Sequence, residues 1–151
     1  MKYSTGNEWE HFGFAEAYIS DIQKINGYFV MTLDNVTIEP ENSQNRDIRQ
    51  MRANGLDFKI QDGQVKSLTE EGYRVYNADG KLMEQHEDQI IPASQHNEVL
   101  KSFCDGDSCL YSLKKEGDIY MIEIDAGNER TYELQISGTS DRQEWDRFLN
   151  L

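Results

Sequence analysis

Arg46, Arg49 and Arg52 recur at every third position of a polar segment that also carries Asn42, Asn45 and Asp47. Guanidinium forks suit carboxylate and phosphate groups, and three of the chain's seven arginines fall in these seven positions. On a helix over 42–54, Ile48 and Met51 would anchor one side while the arginines fan over the other. The segment is therefore the candidate site for a small anion or an acidic partner segment, with Arg46, Arg49, Arg52, Asn42 and Asn45 as its residues. The competing reading is that these arginines neutralise the protein's own acids, notably Asp47.

Other reactive side chains are scattered. His11, His86 and His96 fall in no metal-ligand spacing and read as surface histidines. Glu123 and Asp125 alternate with Tyr120, Ile122 and Ile124, so they face away from that apolar row and into solvent unless the interior is wet. Acid–base work would need two facing carboxyls, one with a raised pKa. Asp105-Gly106-Asp107 with Glu116 eleven residues later imitates part of an EF-hand loop, but its sixth position is Leu110 where a glycine is required. No phosphate-binding, dinucleotide-binding, nucleophile-elbow or C-x-x-C motif occurs. No metal and no cofactor is therefore expected. Cys104 and Cys109 are too few for a disulfide scaffold. They read as reduced, half-buried thiols, with a local disulfide across 105–108 as the alternative.

The elements that must position these residues are mostly strands. Asn26-Gly27 separates Ala17–Lys24 from Tyr28–Ile38, a type I′ hairpin signal, and a bulge near Asp34-Asn35 accounts for a slip in the second arm. Asp62-Gly63 repeats the pattern between Leu56–Ile60 and Gln64–Leu68. Asn77–Gly80, Lys115–Asp118 and Ala126–Glu129 repeat it again. Period-two rows (Leu56, Phe58, Ile60; Tyr120, Ile122, Ile124; Tyr132, Leu134, Ile136) each turn one face inward. Short turns require antiparallel pairing.

Helices are expected over 42–54, over 92–103 behind Pro92, and at the C-terminus. There Ser140-Asp141-Arg142-Gln143 fits a capping box, and Trp145, Phe148 and Leu149 make an apolar stripe. The expected fold is mainly β (α+β). It is a single domain over 1–151, an antiparallel meander of about nine strands that forms a barrel or a strongly curved sheet, with two or three short helices.

The chain of 151 residues carries 28 acidic and 15 basic side chains, a net charge of −13. Its 37% hydrophobic and 11% aromatic content supports a packed core. The charge argues against DNA, RNA or an anionic membrane surface as partner, since phosphate contacts need a basic face. No apolar run is long enough to span a bilayer, and the first residues contain no signal-peptide h-region, so a cytoplasmic location is expected. Charge and missing catalytic motifs together favour a non-enzymatic interaction module, of inhibitor or immunity type, for a basic protein. The alternatives are a barrel holding a small apolar ligand among the spread aromatics, and an enzyme with an uncommon carboxylate or histidine site.

Overall fold

A computed structural model describes residues 1–151. The strands are β1 (Tyr3–Gly6), β2 (Phe12–Gly13), β3 (Tyr18–Ile25), β4 (Tyr28–Asp34), β5 (Val36–Ile38), β6 (Met51–Ala53), β7 (Leu56–Gln61) and β8 (Gln64–Glu70). They continue with β9 (Tyr73–Tyr76), β10 (Leu82–His86), β11 (Gln89–Ile90), β12 (Cys109–Glu116), β13 (Ile119–Asp125), β14 (Thr131–Ser137), β15 (Asp141–Trp145) and β16 (Leu149–Asn150). The one α-helix, α1 (His96–Ser102), follows a 3-10 turn at Ala93–Gln95, and a second such turn spans Trp9–His11. No helix is long and apolar enough to cross a membrane.

Every strand pair is antiparallel. Ten strands form one sheet in the order β1-β15-β7-β4-β3-β12-β13-β14-β8-β11, four more form β16-β6-β5-β2, and β9 and β10 pair alone. The large sheet is nearly severed between β3 and β12, which share one residue pair, Tyr18–Cys109. Its two halves fold over each other: Phe58 on β7 meets the Tyr120 ring on β13 at 6.1 Å. The terminal strands β1 and β11 do not pair with each other, so the expected barrel does not close.

Alternation supplies the core between the halves. Phe29, Met31, Leu33, Leu56, Phe58 and Ile60 are buried from one side, and Tyr120, Ile122, Ile124, Leu134 and Ile136 from the other. These belong to a cluster of 24 buried hydrophobic residues. Phe58 meets both Phe14 and Tyr120 edge to face within it, and Phe12 meets Trp145 in the same way. Many of the aromatics that a ligand barrel would have used are therefore core.

Three sequence expectations change. Asp62-Gly63 does not close a hairpin, because β7 and β8 pair with other strands. Asp62 alone has a positive φ there, 54°, whereas a type I′ turn needs two. Gly63 is required instead by close packing, since a Cβ would lie 2.6 Å from that of Phe29. The chain thus crosses from one half of the sheet to the other. Residues 42–54 are not helical; Asn42 and Asn45 fold that stretch into turns before β6. The C-terminal helix does not form either, as Asp141–Trp145 is a strand between β1 and β7. The helix over 92–103 does form, as the 3-10 turn and α1, and buries Leu100 and Phe103.

Candidate functional site

The arginine segment is held by its asparagines. Asn45, buried, donates from Nδ2 to the carbonyls of Ile38, Glu39 and Arg49, and its Oδ1 accepts the Asp47 N–H at 2.9 Å. The Oδ1 of Asn42, also buried, accepts the Gln44 N–H at 3.0 Å. Such local side-chain bonds compete with helix formation. Both asparagines are therefore anchors of the loop. Arg49 pairs with Asp47 at 3.3 Å, and this guanidinium holds the Asp47 carboxyl below its usual range. Arg52 lies on β6 opposite Leu149. Arg46 forms no ion pair and lines a groove of about 500 Å³ with Tyr3, Met51 and Phe148. Without a helix the three arginines do not share one helical face, and Ile48 is 92% exposed rather than an anchor.

Of a second feature the sequence singles out only Glu123. Glu71, Glu123 and Glu133 come from the end of β8, from β13 and from β14. One carboxylate oxygen of each lies within 4.8 Å of the others. Glu123 and Glu133 are directly opposed across the β13–β14 pair, where like charges destabilise. Gln135 Nε2 donates to Glu133 Oε1 at 2.6 Å. Burial, and then Glu123, Glu133 and Asp88, push the Glu71 carboxyl above its ordinary range.

The sign of that shift has a measurable result. A carboxyl whose folded pKa is raised binds its proton more tightly in the folded protein. The stability this contributes is present below the unfolded value and is lost as pH rises through the folded one. Glu71→Gln should therefore stabilise the protein at neutral pH by about 0.2–1 kcal/mol, the scale of one like-charge contact. The gain should vanish near pH ~4. Urea denaturation at the two pH values checks this, and an equal effect at both would contradict it.

From this acidic root projects an arm. Gly72 N–H donates to Asp88 Oδ1 at 2.6 Å, closing the base of the β9–β10 hairpin. Arg130 braces it, with its guanidinium carbon 3.9 Å from the Tyr73 ring centroid, Nη2 donating to the Tyr73 hydroxyl at 2.8 Å, and Nε 3.5 Å from Glu70. His86, directly opposite Tyr73 on β10, stacks on its ring, centroids 4.2 Å apart. At the tip the Asn77 side chain accepts the N–H groups of Asp79 and Lys81. Around it Tyr76, Leu82 and Met83 are 53%, 44% and 59% exposed. The turn signal at 77–80 locates this hairpin in the sequence, but nothing in its spacing says that it leaves the core.

The remaining candidates are dispersed. His11 lies beside Glu8, and the His96 ring meets the Ile91 carbonyl at 2.9 Å. Cys104 and Cys109 are free, half-buried thiols. Burial first, and then nearby carboxylates, raise both thiol pKa values, which favours the unreactive protonated form.

The chain matches no protein-family model, and no curated protein or solved structure matches it either.

Proposed function

We propose that this protein is a non-enzymatic acidic interaction module for a basic protein partner, in the manner of small inhibitors and immunity proteins. One observation carries the reading. Three glutamates within 4.8 Å of one another, Glu71, Glu123 and Glu133, sit at the root of a hairpin arm whose tip exposes Tyr76, Leu82 and Met83. Groups kept together at a cost to folding commonly serve function. A lysine or arginine from a partner would relieve the repulsion, and the apolar tip would supply the desolvated anchor that charge alone lacks. Glu84, Glu87 and Asp88 extend the negative surface along the arm. The net charge of −13 would speed encounter with a basic protein. Arg46 in its aromatic groove offers a separate contact for one acidic side chain of that partner.

The test is affinity capture with three baits: the wild type, the triple variant Glu71→Gln/Glu123→Gln/Glu133→Gln, and the tip variant Tyr76→Ser/Leu82→Ser/Met83→Ser. The expected result is one stoichiometric basic protein, released by salt and lost from both variants. The triple variant removes like-charge repulsion, so unfolding would not explain its failure to bind. Capture of nothing, or equal capture by all three baits, would refute the proposal.

A further inference from the structure

We infer that the open edge of β3, with the cleft between it and α1, binds an extended peptide carrying an apolar side chain and, two residues on, a carboxylate. This site is separate from the acidic face and the arm. β3 pairs with β4 from Tyr18 to Ile25, but with β12 only at Tyr18. The Ile19 N–H still reaches the Ser108 carbonyl at 3.0 Å. A bulge at Ser20 follows, and beyond it no strand lies on that side.

The direction of the free backbone groups follows from the turn. Asn26 and Gly27 have φ of 52° and 80°, a two-residue type I′ turn, so Ile25 and Tyr28 form its closing hydrogen-bonded pair. Alternation directs Gln23 and Asp21 toward Val30 and Thr32. The N–H and C=O groups of Ile22 and Lys24 therefore point away from β4. The Cys104 thiol lines the same cleft as Ile22. No strand answers the Lys24 pair, and such an edge is a template for an added strand.

The space beside this edge suits a peptide. The cleft has a volume of about 560 Å³ and an apolar lining of Ile22, Phe29 and Leu100. Lys24 and Lys101 also line it beside Asp21, a net of one positive charge on a strongly acidic protein. On an extended peptide, residues i and i+2 face one side, so an apolar side chain can enter the cleft while the next on that face meets a lysine. Self-pairing through β3 would bring together two chains of charge −13, which selects a peptide over a second copy.

The probe is the pentapeptide acetyl-Thr-Val-Thr-Glu-Thr-amide, added to isotope-labelled protein and followed by NMR. Saturable shifts are expected at Ile22, Lys24 and Lys101, with slowed amide exchange at Lys24 and a dissociation constant of about 1 mM. Exchanging the peptide's glutamate for lysine should weaken binding at least about fivefold through charge reversal. Lys24→Pro removes the outward donor and the Lys24 ammonium together but none of the β3–β4 bonds, and should weaken binding at least about tenfold. The exchange measurement on the wild type stands even if that variant fails to fold. Shifts absent at several millimolar peptide, shifts centred elsewhere, or equal binding of the lysine peptide would overturn the inference. So would protection of Lys24 by self-association without peptide. None of these outcomes depends on the basic partner proposed above.

Discussion

Replacing Trp145 with alanine should destabilise the protein by about 3–5 kcal/mol, the range for removing a large aromatic from a packed core. Trp145 is fully buried and its ring contacts those of Tyr3, Phe12 and Phe148 at 5.8, 5.7 and 5.6 Å. These partners come from β1, from β2 in the smaller sheet, and from the segment before β16. The indole therefore ties the small sheet to the large one, and no single neighbour can move to fill the void. Arg147→Ala, at an exposed position two residues later, should change stability by less than ~0.5 kcal/mol. Denaturant titration of the two variants checks both. A loss at Trp145 below ~1.5 kcal/mol would mean the site collapses without cost, against this packing.

Tyr120→Phe should cost about 1.5–3 kcal/mol, the value of a hydrogen bond to a charged group whose partner is left buried. The Tyr120 hydroxyl on β13 donates to Asp141 Oδ2 on β15 at 2.7 Å, across the two halves of the sheet. Gln143 Nε2 donates to Asp141 Oδ1, and Gln143 Oε1 in turn accepts from the Thr5 hydroxyl at 2.6 Å. The Asp141 N–H donates to Asn7 Oδ1 at 3.0 Å. Phenylalanine preserves the ring, so packing is retained and the loss isolates the network. Burial first, and then Asp141, push the Tyr120 hydroxyl pKa far upward. Its folded pKa is raised, so the stability it contributes is present below the unfolded value and fades as pH rises past ~10. The gap between wild type and variant should narrow from neutral pH to about pH 11. Chemical denaturation at both pH values reads this, and a constant gap would sink the assignment.

The C-terminus shows why local signals can mislead. Ser140-Asp141-Arg142-Gln143 spells a capping box, and Trp145, Phe148 and Leu149 have helical spacing. Yet Asp141, Gln143 and Trp145 also alternate, and all three are buried. Both periods fit the same residues. The vacancy between β1 and β7, and the buried hydroxyls that Asp141 and Gln143 can reach, select the strand. The segment over 42–54 erred for a related reason: Asn42 and Asn45 bond to nearby backbone more effectively than a helix would use them. Its arginines remained visible in the sequence, but their shared face did not survive the loss of the helix.

The candidate site was legible only in fragments. Glu123 stood out because it alternates with a core row, and Glu133 alternates with another, but nothing marked Glu71 or the meeting of the three, since cross-strand neighbours are not encoded by spacing along the chain. The exposed tip at Tyr76, Leu82 and Met83 read as one more hairpin among several.

By itself the sequence determined the antiparallel β class, the hairpins at Asn26-Gly27, Asn77–Gly80, Gly117 and Gly127, and the inward faces of β7, β13 and β14. Each depends on residues within a few positions of one another, where steric limits on φ and the two-residue period act directly. Tertiary structure alone decided that Asp62-Gly63, between β7 and β8, and Gly138, between β14 and β15, carry the chain between halves, that β3 keeps an open edge, and that three glutamates meet beneath a projecting arm. Those outcomes turn on which distant strands compete for the same backbone hydrogen bonds and the same buried space, and no local pattern records that competition.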